Sequence, residues 1–200
     1  MTPRYTELQL DALRELANIA SGHAATSLAQ MLGREVGLNV PRVLALPLAD
    51  AVEACGGPED PTTSVVIPLD GDIEGVVLLL IDPQGAETLC KLLGVEAWSE
   101  IGESALCEIG NVLGTSCLNA LASMTGLHLE PCPPHLTTDM LGAIVSSLAL
   151  AHTSSTELVL VLDSELEVES EPCSISFVLL PTDGGVTDLL TPLGLAELPA

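Results

Sequence analysis

The chain has 200 residues, of which 28 are acidic and 5 basic, and its formal net charge is −23. So negative a surface repels phosphate backbones and anionic lipids, and we therefore expect neither nucleic acid nor membrane as a partner. Hydrophobic residues make up 48% of the chain, enough for one sizeable core. The N-terminal segment lacks the uninterrupted apolar run of a secretory signal or membrane anchor, which predicts a cytoplasmic protein.

The six cysteines are scattered without a Cys-x-x-Cys pair, mostly in apolar surroundings. This distribution is typical of reduced thiols packed as small hydrophobes. The segment Cys132-Pro-Pro-His135 offers two metal ligands without a second pair, whereas a structural zinc site needs four. We predict no metal site.

The chain contains an internal repeat. Residues 11–33 and 104–126 match at a constant offset of 93 residues without a gap. Both segments have the periodicity of long helices, and each ends at a glycine, Gly33 and Gly126, in the usual stop position. The segments after each helix also recur in the same order, so the repeat decides the predicted architecture.

In chain order, the first half predicts a long helix at 11–33, an extended stretch at 36–46, a short helix at 48–57, strands at 63–71 and 74–82, and a helix at 83–95. The second half predicts a long helix at 104–126, an extended stretch at 127–134, a helix at 137–151, strands at 156–168 and 172–181, and a short helix at 184–195.

Two such units predict an α/β fold of the α+β type with pseudo-two-fold symmetry. The halves should share one largely antiparallel sheet, with the two long helices side by side on one face. No linker rich in Pro, Gly or Ser separates them. We therefore expect a single domain over 1–200, built from repeats at about 6–98 and 99–200.

Each long helix has one apolar stripe and one polar face. At 100° per residue the predicted core stripes are Leu13, Ala17, Ala20, Ala24, Leu28 and Met31 in the first helix and Leu106, Ile109, Leu113, Cys117 and Met124 in the second. The opposite faces hold Asp11, Glu15 and Asn18, and in the second copy Ser104, Glu108 and Asn111. Asparagine is a mediocre helix residue, so its placement in mid-helix in both copies indicates a surface that contacts something.

The pattern Asp/Ser-x-x-x-Glu-x-x-Asn resembles the signature of the CheC, CheX and FliY phosphatases. The flanks of both motifs, the hairpin LDGDIEGVVLLL, the segment TTDMLGA and the chain length resemble the CheC type over nearly the whole chain. Two positions depart from that type. Ala20 stands where a glycine is usual, and Thr115 stands where a small residue is expected four after the second asparagine.

The resemblance implies a phosphatase that hydrolyses the aspartyl phosphate of the chemotaxis response regulator CheY, without a cofactor of its own and with magnesium on CheY. Asn18 and Asn111 would orient the attacking water, because an amide accepts and donates hydrogen bonds at once. Glu15 and Glu108 would dock the receiver's active-site lysine rather than act as bases. Asp11 and Ser104 either steer the same partner or help the helix begin.

The resemblance also implies CheD as a partner, contacted by Asp139 and Met140 in the segment TTDMLGA. The alternative interpretation of Thr137, Thr138 and Asp139 is that they cap a helix that begins there. For the whole chain, the alternative function is an adaptor that binds CheD and whose phosphatase activity is weak or vestigial. A structural role in the flagellar switch has less support, since no added domain is present.

Overall fold

The structure is a computed structural model that describes residues 5–38, 42–152, 158–168, 171–182 and 185–195. The helices are α1 (Glu7–Leu32), α2 (Leu48–Cys55), α3 (Pro83–Leu92), α4 (Glu100–Thr125), α5 (Leu141–His152) and α6 (Gly185–Leu190), with a 3-10 turn at Thr191–Leu193. The strands are β1 (Val36–Leu38), β2 (Arg42–Pro47), β3 (Pro61–Gly71), β4 (Gly75–Ile81), β5 (Leu129–Pro131), β6 (His135–Met140), β7 (Leu158–Val168) and β8 (Glu171–Pro181). Parts of the predicted segments at 39–41, 156–157 and 184 lie outside the described residues.

The described strands form one eight-stranded sheet in which the halves are interlocked. Its order is β1-β7-β8-β4-β3-β5, with β2 also on β7 and β6 also on β3. The hairpin β3–β4 meets the hairpin β7–β8 along β4 and β8, and each pairing is antiparallel. The first half's β1 and β2 pair with the second half's β7, and the second half's β5 and β6 pair with the first half's β3. The predicted α+β class with a shared antiparallel sheet is confirmed.

Helices cover the sheet on both faces, so its central strands are buried on both sides. Val65, Val77 and Phe177 face the core under α1 and α4, whereas their neighbours Val66 and Val76 face α2 and α5. All seven residues of β4 are buried. This explains why β4 reads as a continuous apolar run rather than as an alternating one.

Local chemistry sets both ends of the long helices. Thr6 Oγ1 accepts from the amide of Gln9 at 3.3 Å, and the Gln9 side chain accepts from the amide of Thr6 at 2.8 Å, which is a capping box. Ser99 caps α4 by accepting from an amide in the first turn. Gly33 and Gly126 end the helices in the left-handed conformation, with φ of 64° and 74°, as predicted.

The two long helices pack against each other on one face of the sheet, and α4 approaches β3 closely at two glycines. A Cβ on Gly110 would lie 2.5 Å from the Val65 side chain, and one on Gly114 would collide with Ile67. The matching positions of α1 are Ala17 and Ser21. The two long helices therefore match in sequence order but differ in the residues at the positions where α4 touches β3.

The prediction of a helix over 137–151 is wrong at its beginning. Thr137 and Thr138 belong to β6, which pairs with β3, and the helix begins at Leu141. The hydroxyls of Thr138 and Thr63 lie 3.2 Å apart across this pair. β-branched residues fit a strand well, and the free edge of β3 supplies the hydrogen-bond partners that decide the outcome.

Candidate functional site

The first predicted site lies on the outward face of α1. The predicted core stripe is buried except for Met31, which is only partly buried. Asp11 and Glu15 are exposed, and Asn18 is partly buried. The carboxylate therefore reaches into solvent, while the amide three residues later is held closer to the helix surface.

The second site repeats this arrangement on α4. Its core stripe is buried except for Met124, which is partly buried. Ser104 and Glu108 are exposed and Asn111 is partly buried. The same side chains thus have the same exposure in both halves, so each half presents one carboxylate and one amide outward.

The two long helices are antiparallel, which sets the distance between the sites. Ser116 donates to Ser27 at 2.8 Å between the hydroxyl oxygens. A groove of about 290 Å³ between the helices is lined by α1 from Ile19 to Ser27 and by α4 from Ser116 to Met124. The groove extends from the contact of Ser27 with Ser116 toward earlier residues of α1 and later residues of α4. The two helices therefore run in opposite directions. With a rise of 1.5 Å per residue, Asn18 and Asn111 lie about 21 Å apart along the helix axes.

The surroundings of the two amides differ at one position. Thr115 Oγ1 donates to Asn111 Oδ1 at 3.4 Å, a long and weak hydrogen bond. The matching residue beside Asn18 is Gly22, where a Cβ would meet no atom within 4 Å. Within the described residues no side chain bonds the Asn18 amide. The amide oxygen of the first site is therefore open, and that of the second is shared with a neighbouring hydroxyl.

The charged residues next to the motifs differ as well. Arg14 pairs with Asp11 at 2.6 Å, and both side chains are exposed. The position matching Arg14 is Cys107, and the one matching Asp11 is Ser104. Burial, and secondarily the charge of Glu108, raise the pKa of the Cys107 thiol. The second site thus has a neutral thiol and a hydroxyl where the first has an ion pair.

Asp139 and Met140 lie on a different part of the molecule. Asp139 pairs with Thr62 across the β3–β6 ladder, and paired residues point to the same face. Thr62 shares its face with Val66, which packs under α2 and α5. Asp139 is exposed, and 54% of the Met140 surface is exposed. The structure therefore brings the Glu/Asn pairs to one face of the sheet and directs Asp139 toward the other.

The alternative interpretation of this segment as a helix cap is corrected by the backbone contacts of α5. The amide of Leu141 donates to the carbonyl of Asp60, and that of Gly142 to the carbonyl of Pro58, each at 2.9 Å. Asp139 Oδ1 accepts from the amide of Met140 at 2.7 Å, one residue before the helix begins. Carbonyls of the loop before β3, rather than the Thr or Asp side chains, take up the first amides of α5.

The repeat begins earlier than residues 11 and 104. At the same offset Tyr5 matches Trp98, Thr6 matches Ser99, Glu7 matches Glu100 and Leu8 matches Ile101. Leu8 is 65% and Ile101 68% exposed, and both lie in the first turn of their helix. Leu8 and Ile101 lie three residues before the matched segments 11–33 and 104–126, so the signal for this pair is present in the sequence.

Within the described residues no helix is both long and apolar enough to cross a bilayer. The same residues hold no group of three or more His, Cys, Asp or Glu side chains arranged for a metal ion.

Known proteins resemble this chain over nearly its whole length. The model of the CheC-like family matches residues 8–44. The chain is 32% identical over 198 residues to the CheY-P phosphatase CheC of Bacillus subtilis. The match covers 94% of this chain and 95% of that protein. The chain belongs to the CheC family. The resemblance drawn from the two motifs is confirmed.

Solved structures agree with the CheC-family fold. Thermotoga maritima FliY matches with a TM-score of 0.76 at 22% identity, over 98% of this chain and 100% of that one. The CheX-CheY-BeF3-Mg complex from Borrelia burgdorferi matches with a TM-score of 0.53 at 17% identity, over 84% of this chain and 97% of that one. At these identities the likeness shows the fold alone.

Proposed function

We propose that this chain hydrolyses the aspartyl phosphate of phosphorylated CheY, with one site on each long helix. The observation that carries the proposal is the Glu-x-x-Asn pair, present twice on the outward faces of α1 and α4 in a chain of the CheC family. The Bacillus subtilis relative is named a CheY-P phosphatase. In the Borrelia complex a protein of this fold is bound to CheY with BeF3 and magnesium.

The amides of Asn18 and Asn111 hold the attacking water. Hydrolysis of an acyl phosphate needs a nucleophile placed in line and charge balanced at the phosphoryl oxygens. A side chain that meets both needs through hydrogen bonds does not itself have to gain or lose a proton. The carboxamide oxygen accepts a hydrogen bond from the water, and its nitrogen donates to a phosphoryl oxygen. Partial burial of both asparagines limits their rotamers and favours this placement.

The carboxylates of Glu15 and Glu108 dock the receiver. Both are exposed, one helical turn before the amide on the same face. A charge-assisted hydrogen bond to the receiver's active-site lysine would fix the helix over the acyl phosphate. Asp11 and Ser104, one turn earlier, either steer the partner or support the helix end. The chain supplies the amide and the carboxylate, and magnesium is expected on CheY.

CheD is the second proposed partner, bound through Asp139 and Met140. Because Asp139 lies toward the face opposite the Glu/Asn pairs, a contact made through it leaves both pairs open to CheY. The adaptor alternative assigns the chain to CheD binding with weak or vestigial catalysis. Both proposed partners place the activity in the cytoplasm.

The test follows the decay of phosphorylated CheY with wild-type chain and with an Asn18→Ala, Asn111→Ala double variant. The double variant should fold, since alanine has the higher helix propensity, and should lose the acceleration of decay. Asn119→Ala is the matched control, because Asn119 is an exposed asparagine of α4 outside the motif. Retention of most of the activity by the double variant would reject the mechanism. A wild-type chain that accelerates decay only marginally, with or without CheD, while binding CheD tightly, would favour the adaptor.

A further inference from the structure

Two large apolar side chains are exposed at the same position of the two repeats. Leu8 is 65% and Ile101 68% exposed, and each is the second residue of its helix. Among the described residues the other large hydrophobic side chains with such exposure are Trp98 and Met140. A single exposed leucine is ordinary in a soluble domain. The same exposure at matching positions of a duplicated chain is a feature of the repeat.

Helix formation does not account for this pair. The cap residues are Thr6 and Ser99, and a hydrophobic staple would involve the residue before the cap and the fourth residue of the helix, not the second. The first turn of a helix favours acidic residues through the macrodipole, and Glu7 and Glu100 supply them. A polar residue would serve the helix equally well at position 8 or 101.

Leu8 lies on the same face of α1 as the proposed site. On helical geometry Glu15 is about 20° and Asn18 about 80° around the axis from Leu8, at about 10 and 15 Å along it. Ile101 has the same relation to Glu108 and Asn111. Each half therefore presents an apolar side chain, a carboxylate and an amide along one stripe, with the apolar group at the outer end.

The two apolar groups are too far apart to form one patch. Measured from the contact of Ser27 with Ser116, Leu8 and Ile101 lie about 50 Å apart along the antiparallel helices. A contact that joined them would have to span the whole helical face. Each one instead borders its own Glu/Asn pair.

We propose that Leu8 and Ile101 are apolar docking contacts for the phosphorylated CheY receiver, one in each site. The inference rests on the proposed function: each residue lies on the same helix face as a Glu/Asn pair, and the protein that docks on that pair is taken to be the CheY receiver. The receiver then offers an apolar patch about 15 Å from its acyl phosphate. In the second half Trp98, 45% exposed, precedes Ile101 by three residues in the chain.

The experiment measures KM and kcat for phosphorylated CheY in two single-site backgrounds. Asn111→Ala leaves the first site active. In that background Leu8→Gln should raise KM about tenfold with little change in kcat, because the variant lacks the apolar side chain that becomes buried when CheY binds. Asn18→Ala leaves the second site active, and there Ile101→Gln should do the same. Leu8→Met and Ile101→Met, which keep an apolar side chain, should restore the wild-type KM.

Each glutamine substitution should raise KM only in the background in which the site of its own half remains active. An unchanged KM for Leu8→Gln with Asn18 intact and for Ile101→Gln with Asn111 intact overturns the proposal, and so does a loss of kcat alone. Sedimentation of the wild-type chain tests the other occupant. A dimer that Leu8→Gln and Ile101→Gln dissociate would assign the residues to self-association and also overturn it. Loss of all activity in the Asn18→Ala, Asn111→Ala variant separates these results from a failure of the proposed function.

Discussion

Thr115 is expected to weaken the second site by occupying the oxygen that the proposed mechanism needs. Its hydroxyl donates to Asn111 Oδ1 at 3.4 Å, whereas Gly22 leaves the matching oxygen of Asn18 open. A water that approaches Asn111 must share or displace this hydrogen bond. A long bond between neutral groups is worth about 0.5–1 kcal/mol, which corresponds to a two- to fivefold change in rate.

The perturbation is Thr115→Ala in the Asn18→Ala background, where only the second site acts. We expect kcat for phosphorylated CheY to rise two- to fivefold, the range set by the strength of one such bond. Thr115→Val keeps the shape and removes the hydroxyl, so an equal rise with valine assigns the effect to the hydrogen bond rather than to bulk. The reverse change is Gly22→Thr in the Asn111→Ala background. A Cβ at Gly22 would meet no atom within 4 Å, and kcat of the first site should fall.

The assay is the decay of phosphorylated CheY at saturating and subsaturating concentrations, with a thermal melt of each variant. Unchanged kcat in both Thr115 variants, together with full inactivity of the double asparagine variant, would refute the role of this hydroxyl while keeping the site. A rise with alanine but not with valine would assign the effect to crowding and would likewise contradict the reasoning.

Three further predictions concern packing and partners. Gly110→Ala should lower the free energy of unfolding by about 1–3 kcal/mol in a melt, because its Cβ would lie 2.5 Å from Val65; no loss would mean that α4 can move away from β3. Glu15→Gln with Glu108→Gln should raise KM for phosphorylated CheY with little effect on kcat, and wild-type binding should weaken with salt; full affinity with lost turnover would contradict the docking role. Asp139→Lys should abolish CheD binding measured by calorimetry, with phosphatase activity and melting temperature kept, because backbone carbonyls cap α5; unchanged affinity would reject this contact.

The sequence was most informative where local signals decide the structure. The long helices were predictable because apolar periodicity, polar faces and the stops at Gly33 and Gly126 all agree. The segment Thr137–Met140 misled because Thr and Asp before an apolar run indicate a helix start, and β3 is remote in sequence. Pairing of β6 with the remote strand β3 depends on tertiary structure and cannot be predicted from local propensity.

For the candidate site, the repeat identified the residues and the structure added their differences. The recurrence of Glu and Asn was visible in the sequence, and the exposure of both faces followed from periodicity. Leu8 lies three residues before the matched segment 11–33 and is therefore not among the predicted site residues. The hydrogen bond from Thr115 to Asn111 depends on a rotamer, and rotamers of surface residues cannot be read from spacing.

The exchange of strands between the halves limits how this protein can evolve. Since β1 and β2 complete the second half's edge and β5 and β6 complete the first half's, deletion of either repeat would expose a long strand edge. A lineage could silence one catalytic face by a single substitution on α1 or α4, yet it could not discard the half that bears it. We therefore expect the catalytic faces of α1 and α4 to diverge by side-chain substitution, while the chain keeps its length.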